Sequence, residues 1–312
     1  MADIDLWQFV RRASADEISR TRASFENADP FPHAVIDDFF TEEFFTRLQQ
    51  EFPQPGPDYD RFCIEDGGQV GTNYANGQPS TFPPAFAQLD ALVRHRAFRE
   101  HVAALTGIEA LDYDPMYFGG GIRESRSGTF LPPHLDFNHH PRTKFHRRMN
   151  LLFYLNEEWQ AQWGGNLQVH RDPQSGGEVV HSYMPSRNRC LVFETSEHSW
   201  HGFDRLRLPP GQSRRAFTIY YYTEHRPDEA SVQFHNTEYV EPPLPDRLEP
   251  GYVLTEEDVN LLREMIARRD GRIRMLYDIR AQLDARIRRY SIFKVRTMGF
   301  RMAARLRRAL GR

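Results

Sequence analysis

The stretch LPPHLDFNHH, residues 131–140, holds three histidines, an aspartate and two prolines in ten positions. Pro132 and Pro133 discourage a helix, and in an extended segment side chains two apart point to the same side. His134 and Asp136 can therefore converge on one point as a two-donor metal clamp. A third donor is expected in SEHSWHGF, residues 196–203, where His201 follows the apolar run RCLVFE by a short loop. A loop leaving one strand can carry an imidazole onto a metal held by the neighbouring strand. Two imidazoles and one carboxylate on one face leave the opposite coordination positions open, which suits non-haem Fe(II) sites that bind a co-substrate and O2. His139, His140 and His146 are surplus to such a triad and are expected on a solvated loop or at the rim of a substrate pocket.

Further motifs follow in a fixed order. RRMNLLFYLNEEWQAQWGGNLQVH, residues 147–170, comes shortly after the HxD, and SRRAFTIYYYTEH, residues 213–225, comes shortly after His201. With its HxD, its YLN followed by a GG strand, its HG and its Arg-led last strand, the sequence over about residues 113–225 resembles the Fe(II)- and 2-oxoglutarate-dependent oxygenases, in the branch similar to prolyl 4-hydroxylases. The resemblance implies an α+β protein, a double-stranded β-helix (jelly roll) with amino-terminal helices packed on it. It implies Fe(II) held by His134, Asp136 and His201, with 2-oxoglutarate and O2 as co-substrates. Hydroxylation of an unactivated C–H bond in a small-molecule or peptidyl substrate would accompany decarboxylation of 2-oxoglutarate to succinate and CO2. Asp136 fills the position that a halide needs in related halogenases, so hydroxylation is the expected outcome. Tyr154 and Arg214 match the residues that meet the distal carboxylate of 2-oxoglutarate.

An arginine there has its own physical reason. A dicarboxylate that chelates a metal through its oxo-acid end leaves its other charge inside a barrel, where burial is costly without a charge-assisted partner. In RRAFTIYYY, strand alternation puts Arg214, Ala216, Thr218 and Tyr220 on one side and Arg215, Phe217, Ile219 and Tyr221 on the other. The second set is the more apolar, which by pattern alone favours it as the interior, packed between barrel and helices; the spacing of the family motif, Arg then a small residue two positions on, matches Arg214 instead. Ala216 and Thr218 offer space and a hydroxyl beside Arg214, so Arg214 is expected to face the co-substrate, with Thr218 near it. Tyr154 either meets the same carboxylate or fills the core. Arg123, Arg147 and Arg148 either recognise an anionic substrate or are surface charges.

The elements that must position these residues can be read more coarsely. The chain has 312 residues, 39% of them hydrophobic and 13% aromatic, enough for a sizeable core and too rich in core formers for disorder. Residues 1–107 form a helical supporting region with a strand at HAVIDDFF, a helix capped by Thr41, a Pro- and Gly-rich loop at 54–84 that could cover a site, and a helix from about Phe86 to Thr106. Short apolar runs separated by Gly, Pro and Asn make 108–226 a sandwich or barrel of antiparallel strands, the catalytic core. A proline-rich connector, 227–254, precedes a helical extension, 255–312. There TEED reads as a capping box, and Ile266, Ile273, Ile287, Leu262, Leu276, Leu283 and Tyr290 fall into heptad rows interrupted by Arg269 and Arg280, the pattern of an imperfect coiled coil and a route to a homo-oligomer.

Charge and cysteine content narrow the class. From Arg286 to Arg312 there are ten basic side chains and no acidic one, within a chain of formal net charge −3. The KVRTMGFRMAARLRRAL segment suits an amphipathic helix on an anionic membrane surface or an acidic partner, or a basic helix packed on the acidic core; no nucleic-acid partner is expected. Cys63 and Cys190 stand far apart outside any CxxC, which argues against a disulfide scaffold or a zinc finger. With no signal-like amino terminus the expectation is a cytoplasmic, at most membrane-peripheral protein, and the near absence of lysine suggests a bacterium with a GC-rich genome. Two other classes share such a barrel: a jelly-roll binding protein with a structural metal, and a zinc-dependent barrel enzyme acting on sugars.

Overall fold

The computed structural model describes residues 5–57, 59–62, 72–227, 232–241 and 243–309, and for 61, 62 and 290–309 the backbone alone. Among these residues the chain divides after Val253 into two compact units. In the first, chain order runs α1 (Ala15–Glu26), β1 (His33–Ile36), α2 (Glu42–Gln50), β2 (Asp60–Phe62), β3 (Asn73–Asn76), α3 (Pro84–Arg94), α4 (Arg96–Thr106) and β4 (Asp112–Tyr113). There follow β5 (Gly121–Ser125), β6 (Leu131–Leu135), β7 (His146–Tyr154), β8 (Leu167–His170), β9 (Val179–Tyr183), β10 (Cys190–Glu194), β11 (His201–Phe203), β12 (Arg214–Thr223) and β13 (Glu238–Tyr239).

The helix ends follow local chemistry. Ser14 and Glu17 close a capping box at the start of α1, and the Thr41 hydroxyl accepts the Phe44 N–H to cap α2. The helix expected from Phe86 to Thr106 is two helices, because His95 adopts extended backbone and its Nδ1 accepts the Ala97 N–H (3.3 Å), which restarts the chain as α4. Gly107 ends α4 in the left-handed region at φ 75°, where a side chain would be strained. Part of the loop read at 54–84 is β2 paired with β3; residues 63–71, which include Cys63, lie outside the described residues.

Two antiparallel sheets carry the core. The larger has the order β1-β10-β7-β12-β5-β3-β2, with β4 also on β12, and the smaller runs β13-β6-β11-β8-β9. Strand β5 pairs β12, β6 pairs β11, β7 pairs β10 and β8 pairs β9, with the pairs falling alternately in the large and small sheets. This nesting is one long antiparallel hairpin rolled up on itself, a double-stranded β-helix, and its two layers enclose an interior.

The large sheet is apolar on both faces. Its outer face places Met149, Leu151 and Phe153 of β7, Val192 of β10 and Phe217, Ile219 and Tyr221 of β12 in one cluster with Phe44, Phe45, Phe86, Leu89 and Phe98 of the helices. Its inner face gives Tyr154, Leu191, Phe193 and Ala216 to a second cluster with Leu167 and Val169 of the small sheet. The alternation expected for β12 therefore holds, with the Phe217 side under the helices. The second unit is one long helix, α5 (Glu256–Ala309), begun by Thr255, whose hydroxyl accepts the Asp258 N–H (3.2 Å). Ile266, Ile273, Leu276, Leu283 and Ile287 are exposed along it. The side chains of Tyr290 and of the basic tail lie outside the described residues, and no described helix is long and apolar enough to cross a membrane.

Phe217 is fully buried against the helices and points away from the interior. Phe217→Ala is expected to cost about 3–5 kcal/mol of stability, read as a lower midpoint in equilibrium denaturation. An unchanged midpoint would contradict the packing described here.

Candidate active site

Strands β6 and β11 pair with His134 directly opposite His201, and Asp136 follows one residue beyond the end of β6. The close approach of these strands requires Gly202, since a Cβ there would come within 2.5 Å of Leu131 O. The three side chains are buried, and their donor atoms lie within 4.8 Å of one another, the one such cluster among the described residues. His134 Nε2 is 3.7 Å from one Asp136 oxygen and His201 Nε2 is 3.5 Å from the other.

Both imidazoles have their tautomer set by the backbone. Nδ1 of His134 donates to Pro132 O (3.0 Å) and Nδ1 of His201 donates to Ser199 O (2.8 Å), so each Nε2 turns a lone pair toward the other two groups. Burial pushes the His134 pKa down to about 3 and also lowers that of His201, which keeps both rings neutral and able to ligate. Burial alone would raise Asp136, but the Arg147 guanidinium beside it, with a hydrogen bond from Asn150, holds the carboxyl below its ordinary range. Two neutral nitrogens and one carboxylate are the donor set that a non-haem Fe(II) site requires, so the residues fit that metal. The ring of Tyr239 stacks on His134 (5.2 Å between centroids) from β13, which adds a strand to the edge of β6. Phe193 lies 4.5 Å from the His201 ring.

The interior cluster that contains Phe193 also contains Tyr154 and Ala216, and beside these stands Arg214. Arg214 is 6% exposed; its Nε donates to Gly165 O (2.9 Å) and its Nη2 to the Tyr154 hydroxyl (3.1 Å). Gly165 cannot carry a side chain, because its φ is +71° and a Cβ would come within 2.3 Å of Leu206 and 3.2 Å of Arg214. The Tyr154 oxygen accepts from Arg214, so the phenol hydrogen is free to donate elsewhere. Among the described residues no carboxylate forms an ion pair with Arg214. Thr218 is buried on the same face of β12, two residues beyond Ala216. Arg215 points the other way, with its guanidinium over the Phe52 ring.

Other expectations are corrected by burial. His140 and His146 are buried instead of solvated. His140 accepts the Arg142 and Thr143 N–H groups at Nδ1, which leaves Nε2 to donate to Asp114 (3.3 Å), a tie between two loops. Arg147 and Arg148 are not surface charges. Arg148 pairs with Glu194 (3.0 Å), and Arg147 donates to Asp136 Oδ2 (2.8 Å), which also accepts from Asn150 Nδ2 (2.7 Å). Sequence reading did not single out Asn150 or Tyr239. Asn150 lies two residues along from Arg148 in a strand otherwise apolar to Tyr154, and that buried polar position is the signal it offered.

A ligand that binds only the folded chain stabilises it by about 2.7 kcal/mol at a hundred times its dissociation constant. Co(II) or Fe(II) under nitrogen should therefore raise the thermal midpoint, and His201→Ala should abolish the rise. An equal rise in the variant would place the bound metal elsewhere.

Residues 120–222, from β5 into β12, match the family model described as the 2OG-Fe(II) oxygenase superfamily. No curated protein matches the sequence. Similar solved structures include a Trichoplax adhaerens prolyl hydroxylase in complex with a hypoxia inducible factor peptide fragment, at 17% identity over 67% of this chain and 91% of that one, TM-score 0.48. A Pseudomonas putida prolyl-4-hydroxylase is 17% identical over 65% of this chain and 98% of its own, TM-score 0.43. HygX from Streptomyces hygroscopicus, with nickel, 2-oxoglutarate and hygromycin B bound, is 13% identical over 66% and 90%, TM-score 0.41. The matched residues 120–222 include His134, Asp136, His201, Tyr154 and Arg214, so the similarity to the 2OG-Fe(II) oxygenase superfamily takes in the buried two-histidine, one-carboxylate cluster and the arginine beside the interior.

Proposed function

We propose that the protein hydroxylates an unactivated C–H bond of a small-molecule or peptidyl substrate, with His134, Asp136 and His201 as the Fe(II) ligands and Arg214 as the anchor of 2-oxoglutarate. The observation that carries this reading is the buried guanidinium of Arg214, whose hydrogen-bond partners, Gly165 O and the Tyr154 hydroxyl, are neutral and which stands beside the same interior cluster as the His134–Asp136–His201 site. A buried cation in that situation is stabilised by an incoming carboxylate. Bound Fe(II), with 2-oxoglutarate and O2, supplies the oxidation, and 2-oxoglutarate leaves as succinate and CO2.

The roles of the chain's own groups follow from their geometry. Arg214 offers its remaining N–H donors to the distal carboxylate, and Tyr154 adds its free O–H to the same group. Thr218 and Ala216 leave room along β12 between that anchor and the metal ligands. The apolar wall of Leu191, Phe193, Leu167 and Val169 excludes water, which strengthens the charged contacts and limits stray oxidation. Near Asp136, Phe137 and Tyr220 pack on Arg147 and Tyr239 stacks on His134, so these rings are the candidates to meet the substrate.

Succinate formation from 2-oxoglutarate under air tests the proposal. It should require Fe(II), increase with the true substrate and be lost in His134→Ala, Asp136→Ala or His201→Ala. A purely binding protein would form no succinate, and a zinc enzyme acting on sugars would turn over with Zn(II) and consume no O2. Arg214→Ala should raise the 2-oxoglutarate requirement by about 100-fold or more, since it removes a buried charge-assisted pair, whereas Arg215→Ala should leave it near wild type. The reverse ranking would overturn the assignment of the anchor, and a chlorinated product in chloride buffer would overturn hydroxylation.

A further inference from the structure

The strand that brings Arg147 to Asp136 breaks its own alternation. Along β7, Tyr154 belongs to the interior cluster and Asn150 reaches Asp136, while Phe153, Leu151 and Met149 face the helices. Period two would then send Arg147 to the helix side with Met149. The pairing with β12 slips at this point: Tyr221 lies opposite Met149, but Tyr222 lies opposite Arg147, which leaves Arg148 as an extra residue. A bulge of this kind re-aims the side chains that precede it. Arg147 consequently joins the Asn150 and Tyr220 face and arrives at the carboxylate.

Several contacts fix the guanidinium there. Its Nη2 donates to Asp136 Oδ2 (2.8 Å) and its Nε to Asn150 Oδ1 (2.9 Å), while Asn150 Nδ2 donates to the same Asp136 oxygen (2.7 Å). The plane lies between two rings, 3.4 Å from the Tyr220 centroid and 4.6 Å from that of Phe137. The Tyr220 hydroxyl is itself tied to Gly119 O (2.8 Å). The side chain of Arg147 is 1% exposed, so solvent does not compete for these bonds.

We propose that Arg147 and Asn150 are positioning residues that occupy Asp136 Oδ2 and so present the carboxylate to the metal through Oδ1 alone. The proposal rests on the reading of His134, Asp136 and His201 as ligands. Its chemical consequence is a matter of coordination number. Two imidazoles and one carboxylate oxygen would give the metal three protein donors and would leave its remaining positions to the co-substrates. A carboxylate that swung to bind through both oxygens would take one of those positions.

The test is calorimetric titration of the full metal-free chain with Co(II), with thermal melts alongside to confirm folding. Arg147→Gln and Asn150→Ala should each lower Co(II) affinity roughly 10–100-fold, the usual range for groups that orient a ligand. Arg147→Lys, which keeps the charge but loses the fork, should recover only part of the loss. The double variant should lose less than the product of the single losses, because both act on one oxygen. Wild-type Co(II) affinity in folded Arg147→Gln or Asn150→Ala would overturn the proposal; if Arg147→Gln does not fold, Asn150→Ala and Arg147→Lys decide it. Should the wild type bind no better than His134→Ala, the ligand assignment fails and this proposal with it. Binding by the wild type that is lost in His134→Ala but unchanged in the other variants would defeat this proposal alone.

Discussion

Antiparallel pairing of β6 with β11 is the constraint from which the site follows. It places His134 opposite His201 as partners in one small sheet, and the extended backbone brings Asp136 to the same side two residues later. Because both Nδ1 atoms are spent on backbone carbonyls, ring orientation is set by the strands themselves. The surrounding fold serves that pairing. The rolled hairpin holds the small sheet over the large one, and the helices fill the outer face of the large sheet while its inner face packs with Leu167 and Val169 of the small sheet.

A second constraint is charge in a dry interior. Asp136, Arg147 and Arg214 are all buried, and each needs a partner of opposite charge or several hydrogen bonds to be tolerated. Arg147 meets the need for Asp136 inside the chain. Arg214 has Gly165 O and the Tyr154 hydroxyl, neutral groups, as its bonded partners. That asymmetry separates a cation bonded to a carboxylate of the chain itself from one bonded to neutral groups, the difference on which the proposed anchor role of Arg214 rests. Strand β12 joins the two ends, with Arg214 at its start, Ala216 and Thr218 along its inner side and Tyr220 against Arg147.

Residues governed by short-range periodicity were legible in the sequence. His134 and Asp136 share a side by period two; Arg214 is preferred to Arg215 for the small Ala216 and the Thr218 hydroxyl on its side and for the motif spacing, against the apolar Phe217–Ile219–Tyr221 row, which packs under the helices. The caps at Thr41 and Thr255 follow from hydroxyl chemistry at a helix start. What stayed hidden depends on pairing between distant segments. The bulge at Arg148 is a property of two strands together, so alternation along β7 alone could not send Arg147 to Asp136. Tyr239 sits in a two-residue strand within a proline-rich connector, too short to show any period, yet it pairs with His134 about a hundred residues away. His140 read as a loop histidine because its partner, Asp114, comes from a segment with no pattern of its own.

On the proposed reading, the roles of Arg214, Tyr154 and the three ligands converge on the binding of 2-oxoglutarate at an Fe(II) that His134, Asp136 and His201 would hold, and that binding can be followed without a substrate. Anaerobic Fe(II)-loaded protein should develop a visible charge-transfer absorption on addition of 2-oxoglutarate, saturating at one equivalent per chain. Arg214→Ala should require far more 2-oxoglutarate to reach the same band, and Asp136→Ala should not develop it. Absence of the band in the wild type, or its undiminished appearance in Asp136→Ala, would contradict the site described here.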